Sequence, residues 1–172
     1  MRTMNGFGWL AAFVATVFGA NWALGEFGIV PIGFGLMAPA GVFFAGAAFT
    51  CRDMLHDAMG RPAVVTAIVI GAGLSWFLEP TFAVASGVAF LVSELGDFAV
   101  YTPLRSRGWL RAVAASNVVG LVLDSALFLW LAFGSLDFIE GQIVGKFYMT
   151  VAAIAGLWIT RHYVVSLRRA TV

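Results

Sequence analysis

From Phe7 to Val165 the chain consists of long uncharged apolar runs broken by short charged stretches, a pattern that no soluble fold of 172 residues can accommodate. Each run is compatible with the roughly 17 to 25 residues that a helix needs to cross a bilayer. We read about six of them by that length criterion: Phe7 to Leu24, Val30 to Thr50, Ala63 to Leu78, Thr81 to Tyr101, Leu110 to Phe133 and Gln142 to Val165. Charged residues make up 11% of the chain, under half the ~25% of a soluble domain, and mean hydropathy is +0.94. The expected fold is all-α: a polytopic membrane protein whose six transmembrane helices form one bundle, a single domain over residues 1–172. That leaves no room for a catalytic domain, and the chain is not read as an enzyme. Arg2 before an apolar stretch gives the first run the look of a signal peptide, but its length and the spans that follow at once favour a retained helix. Pro31 and Pro39 fall in the second run, where proline removes a backbone hydrogen bond, so a kinked or partly unwound helix is expected there.

Arginine and lysine are retained on the cytoplasmic side during insertion. Arg2; Arg52 and Arg61; Arg105, Arg107 and Arg111; and Arg161, Arg168 and Arg169 occupy the N-terminus, the second loop, the fourth loop and the C-terminus. Six alternating helices put all four on one side, while the other loops carry only Glu26, Glu79, Asp137 and Glu140. Both termini are therefore expected in the cytoplasm, with the protein multi-pass in the cell's inner membrane. The net charge of +1 provides no basic face for nucleic acid. Cys51 is alone, so it forms neither an internal disulfide nor a metal pair.

An ionisable side chain inside a span costs at least about 2.5 to 3.5 kcal/mol, so each one needs a partner, a wet cavity or a purpose. The fourth run carries Ser93, Glu94 and Asp97, with Tyr101 beyond; Glu94, Asp97 and Tyr101 share a helical face. The fifth carries Asn117 and Asp124 beside a small-residue stripe of Ala112, Ser116 and Gly120 that permits close helix approach. The sixth carries Gln142 and Lys146. At ~1.5 Å per residue, Glu94 and Asn117 each lie about 10 Å from the cytoplasmic ends of their helices, and Asp124 lies about 13 Å from the outer end. Lys146 either reaches inward to Asp124 as a buried pair or snorkels outward. Asp97 either lines a cavity or pairs with Arg105 or Arg107 at the boundary, and Asn21 is read first as an interhelical hydrogen bond.

Other chemistries fail. Gly141 to Phe147, GQIVGKF, lacks the spacing and hydroxyl of a phosphate-binding loop. His56 and His162 lie away from the deep serines, so no serine protease is assembled, and the soft ligands of a metal site are missing. Nothing calls for a cofactor. A polar cavity inside a helical bundle remains, as a small-molecule carrier requires.

The segments themselves are similar to a known family. TCRDMLHDAMGR, Thr50 to Arg61, resembles the T-D-x-x-x-E-x-x-G-[KR] signature of the VUT family, also called the queuosine precursor transporter family. SELGDFAVYTPLR, Ser93 to Arg105, resembles its S-[EQ]-x-x-D-x-x-V-[FY]-x-x-L-[RK] block, and SNVVGLVLDSALF, Ser116 to Phe128, its S-x-x-x-x-x-x-[IL]-D-[ST]-x-x-F block. Lys146 matches the lysine of the family's last helix. Asp57 stands where the family often has Glu, and Arg52 is inserted in a usually apolar or acidic neighbourhood.

The resemblance implies a six-helix inner-membrane carrier importing 7-deazaguanine bases such as preQ0 or preQ1. It implies substrate-binding roles for Asp53, Asp57, Ser93, Glu94, Asp97, Asn117, Asp124 and Lys146. The chemistry of a purine-like base agrees: a carboxylate accepts its adjacent N–H groups and an amide serves the carbonyl, so Glu94 or Asp124 with Asn117 would form the set. Phe90, Phe98, Phe128 and Tyr148 are the candidate aromatic faces. The main expectation is a stand-alone secondary carrier; the rival is the substrate-binding subunit of an ATP-driven, multi-component vitamin importer. Ala11, Ala15 and Gly19 form a stripe that either docks such a partner or packs within the chain, and a homo-oligomer is a further partner expectation.

Overall fold

The computed structural model describes residues 5–170, in which six α-helices run up and down in chain order. These are α1 (Gly6–Phe27), α2 (Val42–Met59), α3 (Arg61–Ser75), α4 (Pro80–Leu104), α5 (Trp109–Phe133) and α6 (Ile139–Ala170). Two short strands, β1 (Ile29–Gly33) and β2 (Leu36–Pro39), pair antiparallel between α1 and α2. Among the described residues, three helical segments are long and apolar enough to cross a membrane: Gly6–Phe27, Pro80–Leu104 and Ala115–Phe133. Arg61–Ser75 is a shorter apolar helix. Arg2 and the side chains of Ala112, Arg105, Arg161, His162, Arg168 and Arg169 lie outside the described residues.

The second span departs from expectation. Its first half is a β-hairpin, and the helix begins at Val42 and runs on to Met59. Proline lacks the N–H a helix interior needs but is tolerated in a two-stranded ribbon whose edges are free, and Pro31 sits opposite Met37 there. Pro39 closes β2. The shift carries Arg52, Asp53 and Asp57 out of the expected loop and onto α2. What remains of that loop is Gly60, whose φ of 78° and ψ of 179° belong to a region open essentially to glycine alone. Its N–H caps the His56 carbonyl at 2.8 Å, and Pro62 starts the next helix in the first turn, where its missing donor costs nothing.

Helix contact is set by small residues. A Cβ on Gly46 of α2 would stand 2.6 Å from the Lys146 carbonyl oxygen of α6, and one on Gly19 of α1 would stand 2.7 Å from the Phe44 ring of α2. Gly141 lies so close to the Met37 carbonyl that a side chain there would collide with the hairpin backbone. A Cβ on Gly120 of α5 would meet Asp97 Cβ at 3.6 Å and the Ser93 carbonyl oxygen at 3.7 Å, an ordinary contact that does not itself demand glycine.

The interior inverts the pattern of a soluble protein. Asn21, Ser75, Ser86, Ser93, Ser116, Asp124, Ser125, Gln142 and Lys146 are buried, whereas Val69, Leu95, Phe77, Val118 and Trp130 are exposed on the perimeter. Apolar side chains contact hydrocarbon without cost, while polar ones must find partners inside, so this distribution suits a lipid solvent. An apolar cluster of Trp9, Phe13, Val17, Leu55, Ile68 and Phe90 binds α1 to α2, α3 and α4. Phe90 meets Phe13 edge-on with ring centres 5.8 Å apart.

Candidate functional site

Polar groups gather at three levels along the bundle. The deepest holds the ion pair. Lys146 Nζ donates to Asp124 Oδ2 at 2.6 Å and to Ser125 Oγ at 3.0 Å, with both charged side chains almost wholly buried. Of the two expectations for Lys146, the inward reach is therefore the one realised. The pair borders a small space of about 30 Å³ together with Asn21, Ser86, Gln142, Phe90 and Phe128. Asn21 Nδ2 donates toward Ser75 Oγ at 3.1 Å and Ser86 Oγ at 3.0 Å, so Asn21 is an interhelical tie between α1, α3 and α4. It also borders a space of about 440 Å³ at the hairpin end, lined by Trp22, Glu26, Glu79 and Phe82.

At the opposite end, α2, α3, α4 and α5 enclose a cleft of about 500 Å³. Arg52 organises it. Its Nη1 donates to Glu94 Oε2 at 2.8 Å, and its Nε and Nη2 donate to Asp53 Oδ1 at 3.0 and 2.7 Å. Glu94 is the more consequential counter-ion, because its side chain is 17% exposed against 49% for Asp53, and solvent weakens the second pair. Arg61, the first residue of α3, lays its guanidinium carbon 3.4 Å from the centre of the Phe98 ring. Asp97, Tyr101 and Asn117 complete the wall, and Asp57 and His56 lie at its rim on α2. Asp97 Oδ1 is buried and accepts no hydrogen bond among the described residues.

The expected residues thus divide. Glu94, Asp97, Tyr101, Asn117, Asp53 and Asp57 share the cleft, as the common face of Glu94, Asp97 and Tyr101 predicts. Asp124 and Lys146 line the deep space instead. Seven residues separate Asn117 from Asp124, about 10 Å along one helix, so Asn117 can complete a set with Glu94 but not with Asp124. Ser93 lines neither space; its hydroxyl donates to the Phe90 carbonyl at 2.9 Å. Phe90 and Phe128 flank the deep space, Phe98 lies in the cleft, and Tyr148 is largely exposed.

Arg52 and Arg61 were not expected at the site. Reading the second span as ending at Thr50 put both in a loop, where arginine is explained by topology alone. The available signal was that Arg52 interrupts an otherwise apolar or acidic neighbourhood, a cation set among Asp53, Asp57 and the acids of α4.

The arginine-bearing end offers a polar cleft large enough for a small solute, and a much smaller polar space lies beside Phe90. No curated protein and no solved structure matches the chain. A family model described as "Putative vitamin uptake transporter" matches residues 74–163, from the end of α3 into α6, a segment holding Glu94, Asp97, Asn117, Asp124 and Lys146. The match covers just over half the sequence, so the chain belongs to the vitamin uptake transporter family and is a membrane protein.

Proposed function

We propose that this protein imports a 7-deazaguanine precursor of queuosine, such as preQ0 or preQ1, across the inner membrane as a stand-alone secondary carrier. In this reading all six helices cross the bilayer, both termini are cytoplasmic, and the end bearing Arg61, Arg107 and Arg111 faces the cytoplasm. The protein then needs no cofactor and no nucleic-acid partner, and it acts as a carrier rather than an enzyme.

The observation that carries the reading is Asp97 Oδ1, a buried carboxylate oxygen without a donor among the described residues, in a cleft that also presents Glu94 and Asn117. Adjacent N–H groups on a guanine-like edge are suited to carboxylates, an amide can serve the neighbouring carbonyl, and the Phe98 ring offers a flat surface. Asp53 and Asp57 at the rim would favour a ligand rich in donors. Asp124 and Lys146 belong to the same path, deeper in the bundle.

The test is expression in cells that lack their own precursor uptake, with queuosine in tRNA measured after precursor is supplied. Restoration by wild type and loss in Asp97→Asn at equal protein levels is the expected result. Wild type that restores nothing despite normal membrane levels refutes a stand-alone carrier of this substrate.

One observation favours a second reading. Ala11 and Ala15 are exposed on α1, while Gly19 of the same stripe is packed against Phe44. The exposed part is open to a partner, as a subunit of an ATP-driven importer or a homo-oligomer would require. Vesicles containing only the purified protein distinguish them, because a lone carrier accumulates or exchanges substrate and a lone subunit only binds it.

A further inference from the structure

One residue lining the small space beside the ion pair carries an unexplained atom. Gln142 is 2% exposed, and its Oε1 is buried without a hydrogen-bond donor among the described residues. Buried side-chain polar atoms are nearly always partnered, so an orphan acceptor on a residue that lines a cavity requires a reason. Lys146 lies four residues further along α6, on the same helical face and about 6 Å along the axis. Its ammonium has three N–H donors, of which Asp124 and Ser125 engage two. One wall of the space is therefore lined by two residues one turn apart, one with an acceptor and the other with a donor unengaged among the described residues.

The rest of the lining narrows the ligand. Asp124 balances the charge of Lys146, so a neutral molecule enters without leaving an ion uncompensated. Phe90 and Phe128 contribute aromatic surface, and Asn21 and Ser86 stand across from α6. The volume of about 30 Å³ suits roughly two waters and no ring, so the lining helices must separate for a heterocycle to enter.

We infer that Gln142 and Lys146 form a recognition pair for the lactam edge of a neutral planar heterocycle, its ring N–H donating to Gln142 Oε1 and its carbonyl accepting from Lys146 Nζ. The site is a transit chamber separate from the arginine-lined cleft. The inference deepens the proposed carrier function, since a 7-deazaguanine has such an edge, but it extends to any neutral ring with an N–H beside a carbonyl.

Binding to purified protein in lipid nanodiscs tests it. The probes are 7-cyano-7-deazaguanine; 7-cyano-7-deazaadenine, which keeps the ring but has an amine for the carbonyl and no adjacent N–H; and a panel of other neutral lactams, including a pterin, a flavin and a cyclic urea. Wild type should prefer the lactam over its amino counterpart by at least tenfold, and Gln142→Met should erase most of that preference by weakening the lactam alone. Equal wild-type affinity for both deazapurines overturns the inference, without reliance on the variant folding. So does a Gln142→Met protein that binds and discriminates like wild type. If 7-cyano-7-deazaguanine does not bind but another lactam does, with the same dependence on Gln142, the inference stands and the queuosine reading falls. If no lactam binds, both fall.

Discussion

Removing either partner of the Asp124–Lys146 pair should destabilise the protein far more than removing both. The two groups are 2.6 Å apart, and their side chains are 4% and 2% exposed. Truncating one partner of such a pair leaves a buried charge without compensation, at a cost of about 3–5 kcal/mol. Lys146→Met strands Asp124 and also deprives Ser125, itself fully buried, of its donor. Asp124→Asn leaves the ammonium facing an amide and a hydroxyl. The double variant contains no ion, and replacing a whole buried pair by uncharged groups of similar size is often nearly neutral. A cycle of the four proteins should thus give a coupling energy of about 3 kcal/mol or more, since the double variant should lose less than either single. For a chain of this size each kcal/mol moves the melting temperature by roughly 2–4 °C, so each single variant should melt about 6–20 °C lower. Intrinsic tryptophan fluorescence in nanodiscs reports the transition directly, with six tryptophans available. Additive losses, with coupling below about 0.5 kcal/mol, would refute the claim that the two charges sustain each other.

Glu94→Gln should destabilise Arg52 and lower the protein's melting temperature well beyond Asp53→Asn, whose half-exposed pair is worth about 0–1 kcal/mol; equal effects would mean that burial does not rank the two counter-ions. Gly46→Ala should cost about 1–3 kcal/mol, because its methyl group meets the Lys146 carbonyl and Met149 and drives α6 from α2. A melting temperature unchanged by that substitution would show the helices are less closely packed than described. Reporter fusions at either terminus should report the cytoplasm, and an insertion between Gly134 and Phe138 should report the opposite side; a C-terminus outside would overturn the six-span topology.

Much of this arrangement was legible in the sequence because charges are scarce in it. Asp124 and Lys146 stand out against apolar surroundings, and their levels left a gap that a lysine stem can bridge, although outward snorkelling stayed open. The face shared by Glu94, Asp97 and Tyr101 followed from spacing. The hairpin was not legible in the same way, because Phe27 to Phe49 contains no polar side chain and an unbroken apolar run has no period to separate strand from helix. Its signals were Pro31 and Pro39, read as a kink or partial unwinding, and the Gly-Phe-Gly at 33–35, which entered no reading. That one misplacement moved the end of α2 and concealed Arg52. The orphan oxygens of Asp97 and Gln142 depend on tertiary packing, which no local pattern encodes.

The one-residue junction at Gly60 has a mechanical consequence. With the Gly60 N–H tied to His56 and Pro62 limiting the next turn, α2 and α3 are the two arms of a short elbow with little slack between them. Arg52 is on one arm and Arg61 on the other, so a swing that withdraws the first from Glu94 tends to pull the second off Phe98. The two arginine contacts of the cleft would then release as one event, giving an open and a shut cleft with few intermediates. Spin labels on the exposed faces of α2 and α3 should keep a fixed separation while both change distance to α4 when substrate is added; arms that move independently would show that the elbow bends.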